Sequence, residues 1–268
     1  MLTVVQDHRR VVKMIEGFDP SIFSRTHRIV MEFCSGGDLY DLRVRFEQKG
    51  TKVAEALLWH DFTQMLEGLA WLHDEKGIVH RDIKPENMLL VPGDRSHGFP
   101  DLKIADFGLA DFHGVGEGVV QGTLEWQPLD RPQGRLETDV YAVGAMVHFL
   151  AIGIWPVDYD SFPGDRSKDS DGFKRWLVEC PRTFGRLTNP WVVAAGNPGF
   201  RGPRSYSREL QVAIKRATTE DKTRRATAAE LLKSITSAAA TRVIAAERLP
   251  DWVLPPPPTR EYTLQLER

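Results

Sequence analysis

Apolar residues recur at helical spacing between Leu57 and His73, at Leu57, Leu58, Phe62, Met65, Leu66, Leu69, Ala70 and Leu72. Steps of three and four place them on one side of a helix, and the stripe is wide enough to be core. A second run, Val140 to Ile154, predicts a buried helix closed by Gly153 and Pro156. Nearer the N-terminus, Val11–Ile15 and His27–Phe33 are β-rich runs separated by turn residues Asp19, Pro20 and Ser24, which predicts an antiparallel pair. Cys34–Ser35–Gly36–Gly37–Asp38–Leu39 breaks that pattern, and Asp38 is placed to cap the helix that follows. Short apolar pieces at Gly77–Val79, Met88–Val91 and Leu102–Ala105 read as strands. The Pro- and Gly-containing stretch from Val91 to Pro100 reads as a surface loop.

Residues from Val157 to Ser207 are rich in Pro, Gly, Asp and Arg, with one short helix candidate near Phe173 to Glu179. Two further helices are expected, over Ser207–Ala217 and Asp221–Ser237, and Thr227–Ala228–Ala229–Glu230 has the form of a capping box. Pro255 to Pro258 reads as part of a flexible tail. No internal repeat is evident.

Composition narrows the class. A chain of 268 residues with 41% hydrophobic and 27% charged residues is ordinary for a globular protein. The net charge of −2 supplies no polybasic field to attract nucleic acid or a membrane surface. The Val140–Ile154 run is interrupted by Tyr141 and His148 and is too short for a comfortable span, so no membrane crossing is expected. Met1 to Gln6 lacks the charged-then-apolar pattern of a signal peptide. Two cysteines, Cys34 and Cys180, suggest a reducing compartment. An intracellular protein, cytoplasmic or nuclear, is the expectation.

The candidate chemistry lies between the apolar elements. His80–Arg81–Asp82–Ile83–Lys84–Pro85–Glu86–Asn87 is a polar cluster on a loop flanked by strand-like pieces, where a scaffold can hold reactive groups. Behind the next strand comes Asp106–Phe107–Gly108. Together these two loops resemble the catalytic and metal-binding loops of the eukaryotic protein kinases, on the Ser/Thr-directed branch because of Lys84. Either motif alone is common; both, in order and correctly flanked, carry the resemblance.

The resemblance implies an α+β, kinase-like fold with a mainly helical large lobe and a remnant of the β-rich small lobe. It implies ATP-dependent phosphorylation of Ser or Thr hydroxyls on a protein substrate, with Mg²⁺ as the metal. Asp82 would accept or orient the substrate hydroxyl, Lys84 would stabilise charge on the transferred phosphate, and Asn87 and Asp106 would ligate Mg²⁺. Thr123, in Gly122–Thr123, would bond Asp82 and Lys84. Met31, Glu32, Cys34, Asp38, Leu39 and Leu89 would form the nucleotide side: Met31 as gatekeeper, Glu32 and Cys34 through backbone atoms, Asp38 toward the ribose, Leu39 and Leu89 against the adenine. Asp139 would bond the catalytic-loop backbone, with His80 and Phe107 stacked above it. The implied division is residues 1–33 as small-lobe remnant, 34–38 as hinge, 39–240 as large lobe and 241–268 as a Pro-containing tail.

Two departures stand out. No G-x-G-x-x-G loop, strand lysine or helix glutamate precedes the hinge; His8 to Met14 resembles the segment just after that helix. Either the natural protein lacks most of its small lobe, or the chain is an incomplete version of it. The alternative to an active enzyme is therefore a catalytically impaired pseudokinase acting as a binding or scaffolding module. A small-molecule phosphotransferase fits Lys84–Asn87 and Gly122–Thr123 less well. Second, the activation segment, Asp106 to Asp130, ends in Pro128–Leu129–Asp130 rather than Ala-Pro-Glu, and holds no Ser, Thr or Tyr between Gly108 and Gly122. Asp130 would pair with Arg225, and Glu117 reads as a solvated charge.

Overall fold

A computed structural model describes residues 1–18, 28–93, 98–115, 121–129, 135–165, 169–180, 206–244, 246 and 248–254. The antiparallel pair forms between β1, Met14–Phe18, and β2, Arg28–Met31. β1 starts later than the apolar run predicts, because Val11 and Val12 serve another purpose. Both are buried. They hold the chain to the end of β5, Asp101–Ile104: Val12 N–H donates to the Ile104 carbonyl at 2.9 Å, and Ile104 N–H to that of Arg10 at 2.7 Å. The ribbon that follows keeps all four β2 positions exposed. The expected turn at Asp19, Pro20 and Ser24 lies outside the described residues.

Helices build the rest. α1, Leu39–Gln48, is capped by Asp38, whose carboxylate accepts from Asp41 N–H at 2.8 Å. α2, Glu55–Ala70, continues into a wide turn, Trp71–Glu75, and so covers the predicted stretch. Short strands β3, Ile78–Val79, and β4, Met88–Val91, follow. β4 pairs with β5 antiparallel, and β3 pairs with β6, Asp111–Phe112. α3, Leu136–Ile152, is buried along nearly its whole length and ends at Gly153, whose φ of 75° suits a residue without Cβ. α4, Ser170–Glu179, contains the short helix candidate. α5, Arg208–Ala217, starts where Ser207 Oγ accepts from Leu210 N–H at 3.2 Å. One core joins α1, α2, α3 and α5 to the last helix.

That last helix, α6, runs Ala228–Ile244, starting and ending later than its pattern predicts. Asp221 turns back on Thr223 instead, its carboxylate accepting from both the amide and the hydroxyl of Thr223. Arg225 donates to the carbonyls of Thr219, Glu220 and Glu137. The capping box then opens the helix: Glu230 N–H donates to Thr227 Oγ1 at 3.2 Å and Thr227 N–H to Glu230 Oε2 at 3.0 Å. Asp130, Glu117 and Pro255 to Pro258 lie outside the described residues. Among those described, no helix is long and apolar enough to cross a membrane.

Among the buried polar residues of the described core, one acid stands out. Asp61, in the middle of α2, has no exposed surface, and neither carboxyl oxygen has a partner among the described residues. Burial pushes its pKa well above the usual carboxylate range, and nearby Arg10 offsets this only in part. The folded state therefore holds a proton that the unfolded chain releases above about pH 4, so stability declines as pH rises from there toward the folded pKa. Asp61→Asn is expected to remove that decline. Melting curves between pH 5 and pH 8 check it; equal slopes for the variant and the parent would count against a buried neutral acid.

Candidate active site

The polar loop between β3 and β4 is fixed from below by one carboxylate. Asp139, in the first turns of α3, is 1% exposed. Its Oδ2 accepts from His80 N–H at 2.7 Å and lies 3.1 Å from His73 Nε2; its Oδ1 accepts from Arg81 N–H at 2.9 Å. Arg81 adopts φ 70°, a left-handed conformation rare for a residue with Cβ. The Asp139 bonds on both sides of that peptide hold the turn in place. His80 stacks edge-on against Phe107, ring centres 4.9 Å apart, and its Nε2 donates to the Ala105 carbonyl at 3.0 Å. Its Nδ1 accepts from Asp82 N–H at 3.3 Å, which makes the ring a neutral tautomer. Burial lowers the His80 pKa, with Asp139 opposing, in agreement with that assignment.

Asp82 is the centre of a dense cluster. Oδ1 accepts from Thr123 N–H at 2.9 Å and from Thr123 Oγ1 at 2.7 Å. Oδ2 lies 2.7 Å from Lys84 Nζ and accepts from Asn87 Nδ2 at 3.1 Å. Lys84 also donates to Thr123 Oγ1 at 3.1 Å. Burial alone would raise the Asp82 carboxyl, but the bonds from Lys84 and Thr123 outweigh it and hold the pKa below the usual range. Lys84 is shifted upward by the same pair, against its own desolvation.

Asn87 closes a one-turn 3₁₀ helix, Pro85–Asn87, at the start of β4. Its Nδ2 also donates to the Asp82 carbonyl at 2.8 Å, so the amide oxygen is the face left for a ligand. The Asn87 carbonyl accepts from Ala105 N–H at 2.9 Å, which ties the two loops together. Asp106 follows at φ 60°, exposed, with Oδ1 accepting from Gly108 N–H at 3.2 Å. One amide oxygen and one carboxylate, both hard donors on tied loops, suit Mg²⁺ shared with a nucleotide.

The hinge stretch lies beside β4. Gly36 N–H donates to the Leu90 carbonyl and Leu90 N–H to that of Gly37, each at 2.8 Å. A Cβ on Gly36 would come within 2.6 Å of the Leu90 Cβ, so that closeness requires glycine. Met31 ends β2 and is 41% exposed. Glu32 is pinned by Lys103 at 2.6 Å and accepts from Lys13 N–H at 2.7 Å, and its own N–H goes to the Lys13 carbonyl. Burial, with Glu32 nearby, pushes the Cys34 thiol up to about 11. Asp38 forms a bridge with Leu89, which is half-buried. Leu39 corrects the expectation: it has no exposed surface and belongs to the core, because as the first residue of α1 it turns inward behind its cap.

Sequence reasoning missed two contacts. His73, in the wide turn that follows α2, reaches Asp139. Arg81 Nη1 lies 3.4 Å from Asp111 Oδ2 on β6, and Nη2 donates to the Val115 carbonyl. A carboxylate three residues after Gly108, in a segment without hydroxyl residues, was the available signal for the second.

The protein kinase domain family profile matches residues 1–235, well over half the chain. Cytokinesis protein sepH of Emericella nidulans is 29% identical over 233 residues, covering 78% of this chain and 16% of that protein. CDPK-related kinase 1 of Arabidopsis thaliana is 28% identical over 239 residues, covering 87% and 35%. Human death-associated protein kinase 2 is 32% identical over 201 residues, covering 63% and 51%. The chain thus spans between about a sixth and a half of these relatives' own lengths. With loops, order and profile in agreement, the chain belongs to the protein kinase domain family.

Proposed function

We propose that this chain carries the catalytic site of an intracellular protein Ser/Thr kinase. The observation that supports it best is the Asp82 cluster: a carboxylate kept ionised by Lys84 and Thr123 and aimed by four donors. Such a group orients an incoming hydroxyl and takes its proton as the oxygen attacks. Lys84, bonded to both Asp82 and Thr123, stands where charge develops on the transferred group. Mg-ATP, when bound, supplies the phosphoryl group and the metal's charge. The Asn87 amide oxygen and the Asp106 carboxylate would hold the metal. The Glu32 carbonyl and Cys34 N–H would take the adenine edge beside Met31 and Leu89, with Asp38 at the ribose. The names of relatives such as Caenorhabditis elegans serine/threonine-protein kinase kin-29 support Ser and Thr as acceptors.

The test is transfer of labelled phosphate from ATP to a peptide library, followed by identification of the labelled residues. Label on Ser and Thr is expected; label on Tyr alone would overturn the acceptor class. A non-catalytic binding module is the second reading. Nucleotide binding without any transfer would select it.

The metal can be tested apart from activity. Mg²⁺ rarely fills an all-protein cage and prefers to bind with substrate phosphates. Calorimetry should show Mg²⁺ uptake only with nucleotide present, and Asp106→Asn should weaken that uptake at an unchanged melting temperature. Tight Mg²⁺ binding without nucleotide would contradict the assignment.

A further inference from the structure

Arg81 carries a permanent charge on a side chain that is only 9% exposed. Its backbone already belongs to the Asp139 anchor, and its carbonyl lies against Gly122, where a Cβ would collide with it. Its position therefore sets both the Asp82 peptide and the chain entering Thr123. A buried guanidinium needs a counter-charge, and removing the partner of such a pair is costly. The segment from Gly108 to Gly122 has no hydroxyl residue that could bear a phosphate. Among the described residues, the side-chain counter-charge facing Arg81 is Asp111, beside the Val115 carbonyl. Its Oδ2 is on Arg81 Nη1, and its Oδ1 accepts from Phe112 N–H at 2.9 Å. β6 is in turn locked to β3, where Asp111 lies opposite Val79, and His113 N–H donates to the Gly77 carbonyl at 2.7 Å. The carboxylate is thus held by the same short ribbon that leads into His80.

We propose that Asp111 is a positioning residue: acting through Arg81, its carboxylate keeps the Asp82 loop and the segment after Gly108 in register without phosphorylation. A phosphate brought to the same guanidinium would meet a resident negative charge, so the arrangement favours a segment ordered from within the chain. This deepens the kinase reading above and rests on it for its catalytic consequence, while its structural consequence stands on the ion pair alone.

The experiment compares the parent chain with Asp111→Asn, which keeps the shape and loses the charge, and with Asp111→Glu, which restores the charge. Phosphoryl transfer and hydrogen exchange are measured on each. Asp111→Asn is expected to lower kcat about tenfold, the equivalent of one charged hydrogen bond, with KM for ATP little changed. Exchange at residues 109–115 should quicken, and Asp111→Glu should recover most of both. Phosphatase treatment should leave the parent's rate unchanged. Equal kcat and equal exchange in Asp111→Asn would overturn the proposal, as would loss of activity on phosphatase treatment. A parent chain that transfers no phosphate would overturn the kinase reading instead. The exchange comparison would then decide the role of Asp111: unchanged protection in Asp111→Asn rejects it.

Discussion

Asp82→Asn is expected to reduce phosphoryl transfer by about 10²–10⁴-fold, the usual range for a positioned acid or base. The four contacts on the carboxylate explain why an isostere does not suffice. Thr123 sends two donors to Oδ1, and Lys84 and Asn87 approach Oδ2. An amide has one acceptor oxygen, so its NH₂ must point at a pair of donors whichever way it turns. The loss should appear in kcat, with KM for ATP nearly unchanged, because none of these contacts belongs to the hinge. The melting temperature should fall as well, because the NH₂ of the variant faces donors at a buried position. A variant retaining more than a tenth of the parent's kcat would remove Asp82 from the mechanism.

Asp139→Ala should have the largest effect on stability. It orphans the buried N–H groups of His80 and Arg81 and strands His73. Each orphaned buried donor costs about 1–3 kcal/mol, so a total of about 3 kcal/mol or more is expected. For a domain of this size that lowers the melting temperature by roughly 10 °C. Asp139→Asn should recover only part, because its oxygen can take the two contacts at Oδ2 while its NH₂ then faces Arg81 N–H. Hydrogen exchange at residues 80–82 should report the same order: parent slowest, Asn intermediate, Ala fastest. A melting temperature for the Ala variant within about 2 °C of the parent would mean that the loop is anchored elsewhere.

Local order was legible in the sequence. The apolar period marked α2 and the long run marked α3. Asp38, Ser207 and the Thr227–Glu230 box named three helix starts, because a cap acts over three or four residues and leaves its signature there. The order of the two polar loops, together with Thr123, pointed to the cluster around Asp82. The tertiary structure decided what opposes each face. Val11 and Val12 read as strand, but they lie against Ile104 and tie the segment to the end of β5. Leu39 read as lining a pocket, but a helix's first residue can face either way, and here it faces the core. Asp61 left no signal in that stripe, yet on α2 it has no exposed surface. The Arg81–Asp111 pair spans 30 residues and depends on β6 folding back beside β3. Periodicity fixes which side chains share a face; only chain closure, which brings distant segments together, determines which charge or carbonyl stands across from them.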